Sequence, residues 1–225
     1  MGGHTWRWYP WLTKGVAAVH CTAVVMAFMF LWRVGYGSLG ERTQYIVSNE
    51  TAIRWSWGVG AAAVLLTTVV FLFLLISLNQ RYRAVLQMGL MIWILGVSAA
   101  ILHDFLQMTV MPALSQLFVQ VPTKGLAQTI TDWEQVLIRL LGVFAWTCYG
   151  IGGLIYTGVM FRTEDFPEDL AWFSLFVWSL ILLLSIVLSW ISSKMIGFTS
   201  FSLLIFIPWL WRVGKAVRPT PVPKN

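Results

Sequence analysis

Apolar residues run in long stretches along this chain, and the polar and charged residues are gathered between them. A helix that crosses a bilayer needs about 20 consecutive apolar residues, and six stretches reach or approach that length. The pattern predicts helices over roughly 15–32, 55–78, 84–111, 131–161, 167–193 and 198–213. A polar loop rich in Gly and charge is expected from Arg33 to Arg54. A tight basic turn, Asn79–Arg83, makes the second and third helices antiparallel neighbours. The third helix is expected to stop at Pro112, which lacks an N–H for the helical ladder. Residues 113–130 mix Leu, Phe and Val with Gln, Pro, Lys and Gly, and read as a loop with a short interfacial helix. Thr131 followed by Glu134 has capping-box spacing and marks the start of the fourth helix. Pro167, Glu168 and Asp169 suit the first turn of the fifth. Lys194–Gly197 makes a turn, and Pro208 is expected to kink the sixth.

Composition supports the same architecture. Of 225 residues, 58% are hydrophobic and 11% charged, and the mean hydropathy is +0.75. A soluble domain carries about 25% charged residues, so this chain cannot cover a water-facing surface. The expected fold class is all-α: a single polytopic transmembrane bundle over residues 1–225. The first apolar run is too long for a signal peptide and lacks a small-residue cleavage pattern. The +6 net charge comes from basic residues scattered singly at the ends of apolar stretches, which is the pattern of membrane anchors and not of a nucleic-acid surface. With the first residue on the inner side, nine Lys and Arg fall inside and six outside. That bias places both termini in the cytoplasm. Of 14 tryptophans, only Trp93, Trp146 and Trp178 fall well inside the expected spans. The rest sit near span ends, where indole prefers the headgroup level.

Polar groups inside a span are costly and are the first functional candidates. His103 and Asp104, with Gln107 one turn on, are the strongest. Asp104 continues a small-residue stripe through Gly96 and Ala100, so it should face protein. Glu134, Gln135 and Arg139 open the fourth helix on the same side, and the matched depth of Asp104 and Arg139 allows an ion pair. Together these residues form either a polar ligand or ion site near the outer face or a structural pair pinning two helices. His20 is a candidate single-His ligand for a pigment magnesium, against a packing histidine held by hydrogen bonds. It lies too far along the membrane normal from His103 to bracket one haem, roughly 20 Å at 1.5 Å per residue. No HExxH, HxxxH or GxSxG pattern appears, so no catalytic residue and no metal ligand is assigned.

Other features have packing readings. Ser185, Ser189 and Ser193 share one helix face, Gly150, Gly152 and Gly153 cluster within a span, and Met88, Met91, Met108 and Met111 lie on the third helix. Cys21 and Cys148 fall in apolar stretches and form no disulfide framework. The sequence LWRVG occurs at Leu31–Gly35 and again at Leu210–Gly214. It reads either as an interfacial anchor used twice or as the trace of an inverted repeat. Asn49–Glu50–Thr51 is a glycosylation sequon.

Phe166–Pro167, then Leu170–Ala171–Trp172, a long aliphatic helix, Pro208 and a Trp-rich end before a basic tail resemble six-helix bacterial integral membrane proteins grouped as a domain of unknown function. The resemblance covers about the last 90 residues. It implies six helices and a bacterial source, hence the inner membrane, and carries no activity or site residue. Three functions stay open: a non-catalytic accessory subunit partnered by lipid and other membrane subunits, a small transporter or ligand-binding protein, and an intramembrane cofactor or pigment protein.

Overall fold

The computed structural model describes the backbone of residues 9–190 and 196–216, and the side chains of 9–187 and 204–216. It is an all-α bundle: α1 (Tyr9–Met26), α2 (Leu39–Ser48), α3 (Glu50–Ser77), α4 (Arg83–Gln120), α5 (Lys124–Ile138), α6 (Trp146–Met160), α7 (Glu168–Trp190) and α8 (Ile196–Ala216). A π-helical turn, Ala27–Leu31, extends α1, and another, Arg139–Ala145, joins α5 to α6 without a break. Five continuous stretches are long and apolar enough to cross a membrane: Tyr9–Val34, Glu50–Ser77, Gln80–Gln120, Lys124–Met160 and Glu168–Val187. The expected end of the fifth helix near Ser193 and part of the turn after it lie outside the described residues.

An aromatic cluster holds the bundle together. Phe71 of α3 stacks on Trp93 of α4, with ring centroids 4.0 Å apart. Tyr156 of α6 and Trp178 of α7 meet Phe71 edge-on, and Trp209 of α8 meets Trp178 edge-on at 5.1 Å. Glycine lets these large rings in. A Cβ at Gly153 would stand 2.0 Å from the Trp178 ring, and one at Gly152 would stand 3.0 Å from the Gly89 carbonyl. The expected glycine cluster is therefore a packing surface, used by α7 on one side and α4 on the other.

Four expectations about the chain's course change. The third helix does not stop at Pro112. α4 runs through it to Gln120, with Pro112 buried. Proline removes one ladder bond, but Met111, Leu114 and Phe118 pack with Ile130 and Leu137 in a second hydrophobic cluster, and that burial keeps the helix going. Residues 113–130 are thus the end of α4, a break at Pro122, and the start of α5. The α5 cap is Thr123, whose hydroxyl accepts the Leu126 N–H. Thr131 lies within the helix and donates to the Ala127 carbonyl. Finally, the polar stretch 33–54 contains a real helix, α2, closed by a capping box in which Ser38 and Glu41 each bond the other's backbone N–H.

One end of the bundle gathers the start of α1, the α3–α4 turn, the α6–α7 loop and the end of α8. Tyr9 packs on Phe73, the Asn79 N–H and side-chain amide donate to Thr163 Oγ1 and the Arg162 carbonyl, and Arg212 pairs with Asp169. The opposite end carries α2 and the α4–α5 hairpin. The two LWRVG copies differ in structure. Leu31–Gly35 spans the end of the first π turn and an exposed 3-10 turn, while Leu210–Gly214 is α-helical, with Leu210 and Val213 fully buried.

Candidate functional site

His103 and Asp104 sit side by side on α4, 4% and 5% exposed. His103 Nδ1 lies 2.8 Å from Asp104 Oδ1. Counting roughly 20 residues of span from Ala84 arrives at this pair, so it lies near the far edge of the hydrocarbon layer, beneath the α2–α5 end. The neighbouring helix is shaped to receive it. Gly60 of α3 has no side chain, and a Cβ there would meet Asp104 Oδ2 at 3.7 Å. Trp57, one turn earlier on α3, sets its ring edge-on to His103 at 5.1 Å. Its indole N–H is buried with no hydrogen-bond partner among the described residues. Asp104 Oδ2 and His103 Nε2 likewise take no hydrogen bond there. From α6, Tyr149 closes the other side and donates to the Gly96 carbonyl at 3.3 Å.

Chemically, the pair is a carboxylate beside an imidazole in an apolar wall. An isolated charge at such depth is expensive. A carboxyl oxygen and an imidazole nitrogen 2.8 Å apart satisfy each other's polarity in that setting. The free carboxylate oxygen and the indole N–H supply one acceptor and one donor to anything small that reaches them.

The other expected site residues do not join this pair. Arg139 is exposed at the start of the π turn and makes no ion pair among the described residues, so the expected Asp104–Arg139 pair does not form. Glu134 instead pairs with Arg42 of α2 at 2.5 Å, with side chains 22% and 16% exposed. The helix hidden in the polar loop supplies that partner. Gln107 is half-buried and Gln135 exposed. Arg42, Trp57 and Gly60 were not visible as site residues in the sequence. The Ser38-x-x-Glu41 spacing is the signal that could have revealed α2, and with it Arg42.

His20 is buried at the core of the bundle. Nδ1 lies 3.0 Å from the Val16 carbonyl, Nε2 faces Thr67 Oγ1 at 3.4 Å, and the ring stacks on Phe206 at 5.8 Å. These contacts are those of a histidine packed between α1, α3 and α8. Ser185 bridges helices: it meets Thr147 at 2.7 Å and donates to the Val143 carbonyl within the second π turn. Ser189 and Ser193 fall outside the described side chains. Met88 and Met91 face outward, 53% and 69% exposed, while Met111 is in the second cluster. These methionines form no common site. Asn49 of the sequon joins α2 to α3 and donates its amide to the Tyr45 carbonyl.

Fold and site together define an all-α integral membrane protein with a buried His–Asp pair at one edge of its core. No family model, no curated protein and no solved structure matches the chain.

Proposed function

We propose that this chain is a non-catalytic accessory subunit that packs inside a larger membrane assembly. The observation that carries the reading is how its buried polar groups are used. His20 meets Thr67, Trp93 donates to Thr68 at 3.1 Å, Trp209 donates to Ser174 at 2.8 Å, and Ser185 meets Thr147. Each pair ties one helix to another, as expected of groups whose task is rigidity. With α8 as a sixth span, the basic end that holds Lys14, Arg81, Arg83, Arg162, Arg212 and Lys215 faces the cytoplasm by the positive-inside rule. A bacterial inner membrane is the expected setting.

Purification from native membranes in mild detergent tests this, with native mass spectrometry and an absorption spectrum on the same sample. Other subunits in fixed stoichiometry support it. A chain that runs alone at its own mass overturns it.

A second reading is favoured by one specific observation, the buried His103–Asp104 pair with the unbonded Trp57 indole N–H on the ring that meets His103 edge-on. In that reading the protein is a small transporter or ligand-binding protein that uses His103 and Asp104. Asp104→Asn then abolishes uptake in reconstituted vesicles while the protein stays folded. Unchanged uptake of every solute carried by the wild type removes it.

A further inference from the structure

At the basic end of the bundle, the α8 backbone at Gly214 packs directly on the Thr13 side chain of α1. A Cβ at Gly214 would lie 1.8 Å from Thr13 Oγ1, so only glycine allows this approach. The residue after each member of the contact is a lysine. Lys14 Nζ lies 4.6 Å from the Trp11 ring centroid and 5.6 Å from that of Trp211, and Lys215 Nζ lies 5.5 Å from the same Trp211 ring. Two ammonium groups therefore share one indole. Neither has a carboxylate partner among the described residues. The nearby acids are engaged elsewhere: Asp169 pairs with Arg212, and Glu168 accepts the Trp172 indole N–H.

Two like charges held on one ring repel each other and attract an anion. The rings decide which anion. Trp11 is 71% and Trp211 46% exposed, at the end of two apolar helices, where indole lies among lipid headgroups. We infer that Lys14, Lys215 and the Trp11–Trp211 ring pair form a binding site for the phosphate of an acidic phospholipid, with the rings against the glycerol and upper acyl region. A free phosphate offers the lysines the same charge but gives the exposed rings nothing to cover.

Native mass spectrometry of the full chain in mixed micelles of phosphatidylglycerol and phosphatidylcholine tests the site. The wild type should retain phosphatidylglycerol preferentially. Each of Lys14→Gln and Lys215→Gln should weaken that preference roughly fivefold, from about 1 kcal/mol per basic residue at an anionic surface. The double variant should lose more than either. Lys14→Arg/Lys215→Arg keeps the charge and should keep the preference, which separates lost binding from lost folding. Lys124→Gln, at the opposite end, should change nothing. Equal lipid preference in the wild type and the double Gln variant overturns the site. Displacement of the lipid by millimolar inorganic phosphate overturns the lipid assignment.

Discussion

Gly153 and Gly158 lie on the same helix and differ in one respect. The first has the Trp178 ring where its side chain would be, and the second has open space. Gly153→Ala should therefore destabilise the protein by about 1–3 kcal/mol through overpacking, read as a lower midpoint of thermal unfolding in detergent. Gly158→Ala should leave the midpoint unchanged or raise it, since alanine is the better helix former by up to ~1 kcal/mol. A similar loss in both variants would show that the Trp178 contact is not what makes Gly153 necessary. At the buried pair, Asp104→Asn keeps a hydrogen-bond partner for His103 Nδ1, whereas Asp104→Leu leaves that buried ring nitrogen unpaired. The leucine variant should lose about 1–3 kcal/mol more than the asparagine variant in the same melt. Sequence reading placed Trp93, Trp146 and Trp178 inside the spans, and all three are buried. It put Trp209 at a span end, yet that ring is fully buried, because Ser174 on α7 takes its N–H. A partner on another helix has no signature in local spacing.

At the scale of elements, α2 depends on its cap. Glu41 accepts the Ser38 N–H and hydroxyl, both at 2.8 Å, and these bonds hold its carboxyl below the usual range. A depressed folded value means the cap's contribution is complete above the ordinary glutamate value, ~4.3, and is lost as pH falls through the lower folded one. Protection of the first-turn amides of α2, taken relative to their intrinsic exchange rates, should fall over that window. Glu41→Gln should make that protection independent of pH; if the wild-type protection is also independent of pH, the cap does not control the turn. Thr131 and Ser38 both have capping-box spacing, but only Ser38 starts a helix. The difference lies upstream. Leu126 and Ile130 continue the apolar face of Trp133 and Leu137 backwards to Thr123, whereas Gly35–Gly37, immediately before Ser38, are not helical. Pro112 follows the same logic: its local ladder defect is outweighed by the packing beyond it.

For the molecule as a whole, length decides what lies in the bilayer. α4 has 38 residues, roughly 57 Å at 1.5 Å per residue, against about 30 Å of hydrocarbon. Its far end, with α5 and α2, must stand outside the apolar layer, where the Arg42–Glu134 pair and the second hydrophobic cluster give it a small core of its own. A cysteine placed at Gln120 should react with a membrane-impermeant maleimide in intact vesicles of one orientation, and one at Ile94 should not. Equal protection of both would put the hairpin within the membrane. The all-α architecture was readable from the sequence because bilayer thickness imposes run length directly. The hairpin was not, because its residues carry the mixed polarity of a loop and become helical only by packing on each other.

The rings of Trp93, Trp178 and Trp209 lie nearly perpendicular to one another in sequence, 5.7 Å and 5.1 Å apart at 86° and 81°. Indole transitions held that close and that asymmetrically couple, so the protein should carry a strong near-ultraviolet circular dichroism band that comes from tertiary structure alone. Detergents that loosen the bundle will erase that band while the far-ultraviolet helical signal persists. The protein thus holds a built-in optical gauge of whether an extracted sample is still native.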